Sequence, residues 1–229
     1  MTAVTGRNRA DAYDTLRAEI ADGRLSPNER LVEHDLVARY GLSRAAVRMA
    51  LVRLEQDRVV VREPNRGARV RRVTEAEAVE ILETRAALEG IAAGHAARHA
   101  TAEQIAELQR IAAEMERLHA RGDLLAMSEA NARMHSLILQ ASRHATVRRV
   151  AGSLKSQMVR FQYRTILVAG RADESLAEHG AIVAAIAAGD PDSAEQAMRR
   201  HLVNVARALR TRSAAGETEI EIEPEAAER

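Results

Sequence analysis

The chain has 229 residues, of which 46% are hydrophobic but only 2% aromatic, and its formal net charge is +1. It holds no Cys, which excludes disulfides and thiolate metal sites, and no apolar run approaches the ~18 residues of a transmembrane helix. The charge is uneven: residues 1–72 carry 15 Arg against 10 Asp or Glu, a balance of +5 that leaves −4 for the rest. Arg grips phosphate bidentately and reads guanine edges, so the basic N-terminal third points toward nucleic acid.

Residues 1–10 read as a disordered leader without an apolar signal core, and a cytoplasmic protein is expected. A helix follows from about Asp11 to Ala21, with Tyr13, Leu16 and Ile20 at helical spacing. The segment from Leu25 to Leu31 reads as a turn, with Pro27 fixing φ. Glu33–Leu54 then reads as two helices around a tight turn at Gly41. Ser43 is placed to cap the second helix, Val47, Leu51 and Leu54 form its buried stripe, and Arg44 and Arg48 share the opposite face. That is the pattern of a helix-turn-helix whose second helix enters a DNA major groove, although an ordinary helical hairpin with a basic face has it too. Two β-branched runs, at 59–61 and 68–70, flank a Pro/Gly turn and predict a hairpin wing. Its tip, Asn65-Arg66-Gly67, is basic, and the glycine lets backbone approach another surface closely.

From Thr74 the texture is helical throughout. The capping-box pattern Thr74-Glu-Ala-Glu77 starts the first of six segments, about 74–99, 101–120, 123–141, 144–168, 172–188 and 191–212. The fold class is therefore mostly α: a winged helix-turn-helix over 11–73, then an all-α bundle over 74–213. Residues 214–229, with six Glu, read as a disordered acidic tail. His135, His179 and His201 fall in separate helical contexts, and Asn131 lies one turn before His135 on the same face. Three imidazoles and one oxygen ligand suit zinc or a similar divalent ion, but spacing alone favours scattered surface or core histidines, since no short H-x-x-x-H pattern ties them together.

Residues 11–73 resemble the DNA-binding domain of the GntR family of bacterial regulators, in the stretches LRAEIADGRLSPNERL, LSRAAVRMALVRLEQD and PNRGARV. The resemblance implies a winged helix that binds double-stranded operator DNA as a homodimer. Carried over position by position, its DNA contacts fall on His34, Ser43, Arg44, Ala45, Arg48, Arg66 and Gly67. The chain departs from the family where Ala45-Ala46 replace Thr-Pro, Met49 a common Glu, Arg58 a Gly and His34 an Arg or Lys. The helical segment resembles the FCD effector domain of the FadR-like branch, in Thr84-Arg-Ala-Ala-Leu-Glu89, Asn131-x-x-x-His135, Glu178-His179-x-x-Ile182 and Met198-x-x-His201. This second resemblance implies a divalent ion, zinc with nickel or manganese as alternatives, held by Asn131, His135, His179 and His201. It also implies a small organic acid effector, with Arg85 facing the same cavity and pairing with a carboxylate ligand. Asp is common where Asn131 stands. Arg160 and Arg164 are further pocket candidates, whereas His95, His99, His119 and His144 match no ligand position and read as surface or packing residues.

The expected function is a DNA-binding transcriptional regulator, a repressor, controlled by a small carboxylate at a metal-containing pocket. A metal-dependent enzyme with Glu178 as general base is one alternative, though it leaves the winged helix without purpose. A constitutive DNA binder is another, and it needs no buried polar pocket.

Overall fold

Helix α1 (Val4–Ala21) opens the fold and buries Tyr13, Leu16 and Ile20. The computed structural model describes residues 4–21, 23–63, 67–158, 161, 165, 168 and 170–214. The helix starts at Val4, inside the segment expected to be a disordered leader: no Pro interrupts residues 4–10, and extending a formed helix adds a hydrogen bond per residue fixed. After a turn come β1 (Arg30–Leu31), α2 (Glu33–Tyr40) and α3 (Arg44–Gln56). Gly41 takes φ 63°, the left-handed conformation that ends α2 without a Cβ clash. Ser43 caps α3, its Oγ accepting from the Ala46 N–H at 3.2 Å. Leu36, Val47, Leu51 and Leu54 close against α1 in one core. Tyr13 Oη donates to Asp57 at 2.5 Å and Tyr40 Oη to Glu19 at 2.8 Å, which fixes α1 against both helices of the pair.

Strands β2 (Val60–Glu63) and β3 (Gly67–Val70) form the expected wing, pairing Val60 with Val70 and Glu63 with Gly67. The expected turn before α2 also supplies β1, which pairs with the other edge of β3 through Arg30–Arg69 and Leu31–Ala68. Two residues carry no alternation to read, so this strand exists only through its partner. Gly67 has φ 86°, and a Cβ there would stand 2.8 Å from the Leu31 carbonyl oxygen. A close approach that requires glycine here is therefore to β1 within the fold. Arg66 lies outside the described residues.

The helical domain comprises α4 (Glu75–His99), α5 (Ala102–Ala120), α6 (Leu124–Ala141), α7 (Ala145–Gln157), α8 (Arg171–Ala187) and α9 (Pro191–Ala214). Side-chain caps start five of these helices: Thr74 Oγ1 accepts from Glu77 N–H, Thr101 forms a full box with Gln104, Asp123 caps α6, His144 Nδ1 caps α7 and Asp190 Oδ1 accepts from Ser193 N–H at the start of α9. Buried methionines, Met115, Met127, Met134 and Met198, fill the centre where aromatics are scarce. Gly90 lets α9 approach α4, since a Cβ there would stand 2.7 Å from Arg199 Cγ.

Two expectations change. The fourth helix of this domain, expected to reach 168, stops at Gln157. Met158 and Phe161 N–H bond three residues back, to Lys155 and Met158, a tighter turn than the α-helix continues. The last helix runs to Ala214, and the expected acidic tail from 215 lies outside the described residues. Among the described residues, no helix is long and apolar enough to cross a membrane. Arg71 ties the two parts together: its N–H bonds Val59 O at 2.9 Å, and its guanidinium reaches Glu77 of α4 and, at 3.2 Å, Gln157 of α7.

Candidate functional site

His135 from α6, His179 from α8 and His201 from α9 come together, all buried, each offering a ring nitrogen within 4.8 Å of the others. Each ring is held from behind. His135 Nδ1 donates to Glu89 Oε2 at 2.6 Å, His179 Nδ1 to the Ser175 carbonyl at 2.6 Å and His201 Nδ1 to Glu178 Oε2 at 2.7 Å. A carbonyl or ionised carboxylate oxygen only accepts, so each Nδ1 carries a proton, and in a neutral imidazole that leaves the lone pair on Nε2. Burial holds His179 well below its ordinary value and takes His201 down to about 4. Burial would raise the Glu178 carboxyl, but hydrogen bonds from His201, Asn204 and Arg171 bring it down to about 2. Glu89 is likewise held well below the carboxylate range, burial being outweighed by Arg85 and His135.

The outcome is an inward-facing donor set. His135 Nε2 and His179 Nε2 stand 3.3 Å apart. Two lone pairs at that distance repel unless a proton or a metal ion lies between them. Asn131, one turn before His135, lines the adjoining cavity, and its Oδ1 is buried without a hydrogen-bond partner among the described residues. Three Nε2 atoms and an orphaned amide oxygen fit a borderline divalent cation, and the groups behind the imidazoles are the kind that fix ligand tautomers. The cavity has a volume of about 90 Å³ and is also lined by Arg85, Lys155 and Arg171. Arg85 is buried in the wall of this cavity, and its Nε donates to Glu89 of the same helix at 2.6 Å. Arg160 and Arg164 lie outside the described residues.

On the N-terminal domain, α3 presents Arg44, Ala45, Arg48 and Met49 as an exposed face. Ser43 is exposed at its cap and His34 in the first turn of α2. Arg48 is paired with Glu33 at 3.2 Å and keeps 65% of its side chain exposed. Gly67 sits at the start of β3.

Residues 8–70 match the bacterial regulatory proteins of the gntR family, and residues 80–204 match the FCD domain. The chain is a GntR-family transcriptional regulator. It is 31% identical over 82% of its length, and 83% of the other's, to the "Probable D-xylose utilization operon transcriptional repressor" of Paenarthrobacter nicotinovorans. It is 26% identical over 86% of its length, and 87% of the other's, to the "HTH-type transcriptional repressor RspR" of Escherichia coli. The fold matches that of the solved structure titled "E. coli McbR/YncC" with a TM-score of 0.77 at 21% identity, covering 93% of this chain and all of that one.

These relatives are DNA-binding regulators rather than enzymes, so the alternative of a metal-dependent enzyme falls away. The geometry agrees. Glu178, the one base considered, has Oε2 occupied by His201 and Arg171 and Oε1 by Asn204. In this GntR regulator the sequence reading brought the three histidines and Asn131 to one place but missed Glu89, Ser175, Lys155 and Arg171. The Arg85-x-x-x-Glu89 spacing signals a same-face pair, and that signal was readable.

Proposed function

We propose that this regulator reads operator DNA with the exposed face of α3 and is released from it by a small carboxylate held beside a zinc ion in the helical domain. Nickel or manganese are the alternative ions. The observation that carries the reading is the donor set: three imidazoles whose Nδ1 protons are engaged as hydrogen-bond donors, and a buried amide oxygen with no partner among the described residues. His135, His179, His201 and Asn131 would hold the ion, whose chemistry is that of a Lewis-acidic anchor for a carboxylate. All four ligands are neutral, so charge is left for an anion to balance. Metal analysis of the purified regulator and of His179→Ala tests this; equal metal content in both would overturn the site.

On the DNA side, His34, Ser43, Arg44, Ala45, Arg48, Arg66 and Gly67 are the proposed contacts. Arg44→Ala and Arg48→Ala should each weaken operator binding by about 1–3 kcal/mol if they read base edges. Arg48 must first leave Glu33, so its loss is expected to be the smaller of the two. Mobility shifts on the natural operator measure this, and wild-type affinity in both variants would remove α3 from the interface. A single winged helix offers a small footprint, so a homodimer on two half-sites is proposed; a monomer by light scattering on DNA would contradict it.

The route between the sites runs along α7. Lys155 and Met158 line the cavity, and Gln157 between them holds Arg71, whose backbone is bonded to Val59 at the foot of the wing. Gln157→Ala should therefore leave acid-free operator binding intact while cutting the acid-induced change about 2- to 30-fold, the scale of one link in a coupled network. An undiminished response in gel-shift titrations would place the coupling elsewhere.

A further inference from the structure

Lys155 is the chain's only lysine, and it stands in the wall of the effector cavity. It is half-buried, its Nζ donates to the Ala132 carbonyl at 2.9 Å, and among the described residues no carboxylate lies within ion-pair reach of it. On another wall is Arg171, the first residue of α8 and only 3% exposed. Its Nη2 donates to Glu178 at 2.6 Å, but its Nη1 is buried with no hydrogen-bond partner among the described residues, a Glu174 oxygen standing 3.7 Å away. The cavity thus contains two separate cationic donors with unused capacity, one on α7 and one on α8 beside the imidazoles. Arg85, the third lining cation, already spends its Nε on Glu89.

Donor capacity left over on a cation in a desolvated wall is costly, and an anionic acceptor bound between Lys155 and Arg171 removes that cost. A monocarboxylate can serve one wall only. Placed at the imidazole end it meets Arg171 and leaves Lys155 without an anion. A cavity of about 90 Å³ limits the ligand to a short chain. We propose that the cavity takes a compact dianionic acid of the malonate, succinate or malate size. One carboxylate faces the imidazoles and Arg171 Nη1, and the second is received by Lys155. Lys155 then sets specificity for dianions over monoacids. Burial, and after it the neighbouring Arg85, brings Lys155 down to about 8, which still leaves it mostly protonated at neutral pH. This inference rests on the reading of the cavity as the effector site.

The test is calorimetric titration of the zinc-loaded full-length protein with malonate, succinate and malate, set against propionate and butyrate. At pH 7 the best dianion should bind about 10- to 100-fold more tightly than the monoacid of matching length, the increment of one charge-assisted hydrogen bond. Lys155→Gln keeps a donor for Ala132 but removes the charge, and should reduce that ratio to within about threefold. Lys155→Arg should retain most of it. If monoacids bind wild-type protein as tightly as dianions, or if the preference survives in Lys155→Gln, the dianion subsite is wrong while the effector site stands. If no acid of either kind binds, the effector reading itself fails and the subsite goes with it.

Discussion

Replacing Glu89 with Ala should destabilise the helical domain by about 3–5 kcal/mol, the range for removing one partner of a buried ion pair. Glu89 is 1% exposed and serves two cationic or polar donors at once: Arg85 Nε at 2.6 Å on Oε1 and His135 Nδ1 at 2.6 Å on Oε2. Burial works against its charge, but Arg85 and His135 more than compensate, so the carboxylate is ionised at every ordinary pH. Alanine leaves the Arg85 guanidinium inside the bundle without its counter-ion and releases the His135 ring from its tautomer. Since whole domains are stable by about 5–15 kcal/mol, the effect should be visible as a large drop in urea midpoint. Glu89→Gln keeps the shape and removes the charge; it should lose less stability but still lower metal affinity about 10- to 100-fold, as losing an orienting partner does. The contrast is Glu83, whose pair with Arg210 is exposed, so that Glu83→Ala should stay within about 0.5 kcal/mol of wild type. An unfolding midpoint for Glu89→Ala like that of Glu83→Ala would mean the buried pair contributes nothing net.

Glu89 also illustrates where sequence reasoning stops. The helices, caps and turns are local events: Ser43 and Thr74 announce their caps, and Gly41 its left-handed turn, within a few residues of chain. The histidines and Asn131 were assigned from a resemblance of motifs, and the bundle does bring the three rings together. The groups behind the rings are another matter. Glu89 and His135 are 46 positions apart, and their bond depends on how α4 is rotated against α6, which no spacing encodes. Glu178 lies next to His179 in sequence yet supports His201, because neighbours on a helix point about 100° apart. The strand β1 and the end of α7 fail for a related reason. Each is decided by a partner or by competing turn bonds rather than by a periodic pattern, as is the glycine at 67, required by Leu31 across the sheet.

Metal-free protein should lose stability as the pH falls from about 6.5 to about 4. The unfolded-state value for His is 6.5, whereas burial lowers His201 to about 4 and His179 well below its ordinary value. In that window the unfolded chain binds protons that the native state refuses, so stability rises with pH and is lost as pH falls through it. Below about pH 4 the native His201 also accepts its proton, and its contribution levels off. His201 alone should account for about 3 kcal/mol of the loss, with His179 adding in the same direction. Glu178 acts in a lower window, because its folded value of about 2 lies below the unfolded 4.5: its stabilisation is complete above 4.5 and is lost toward pH 2. Two acid steps are therefore expected, the first from imidazoles and the second from carboxylates. Zinc should shift the first step to lower pH, since an imidazole whose Nε2 lone pair is coordinated is closed to protons until the metal leaves. Urea midpoints of chelator-treated and zinc-loaded protein at pH 7, 6, 5 and 4 separate these cases. A chelated protein equally stable at pH 7 and pH 5 would show that the buried rings are protonated in the native state, with a proton rather than a metal ion between His135 and His179.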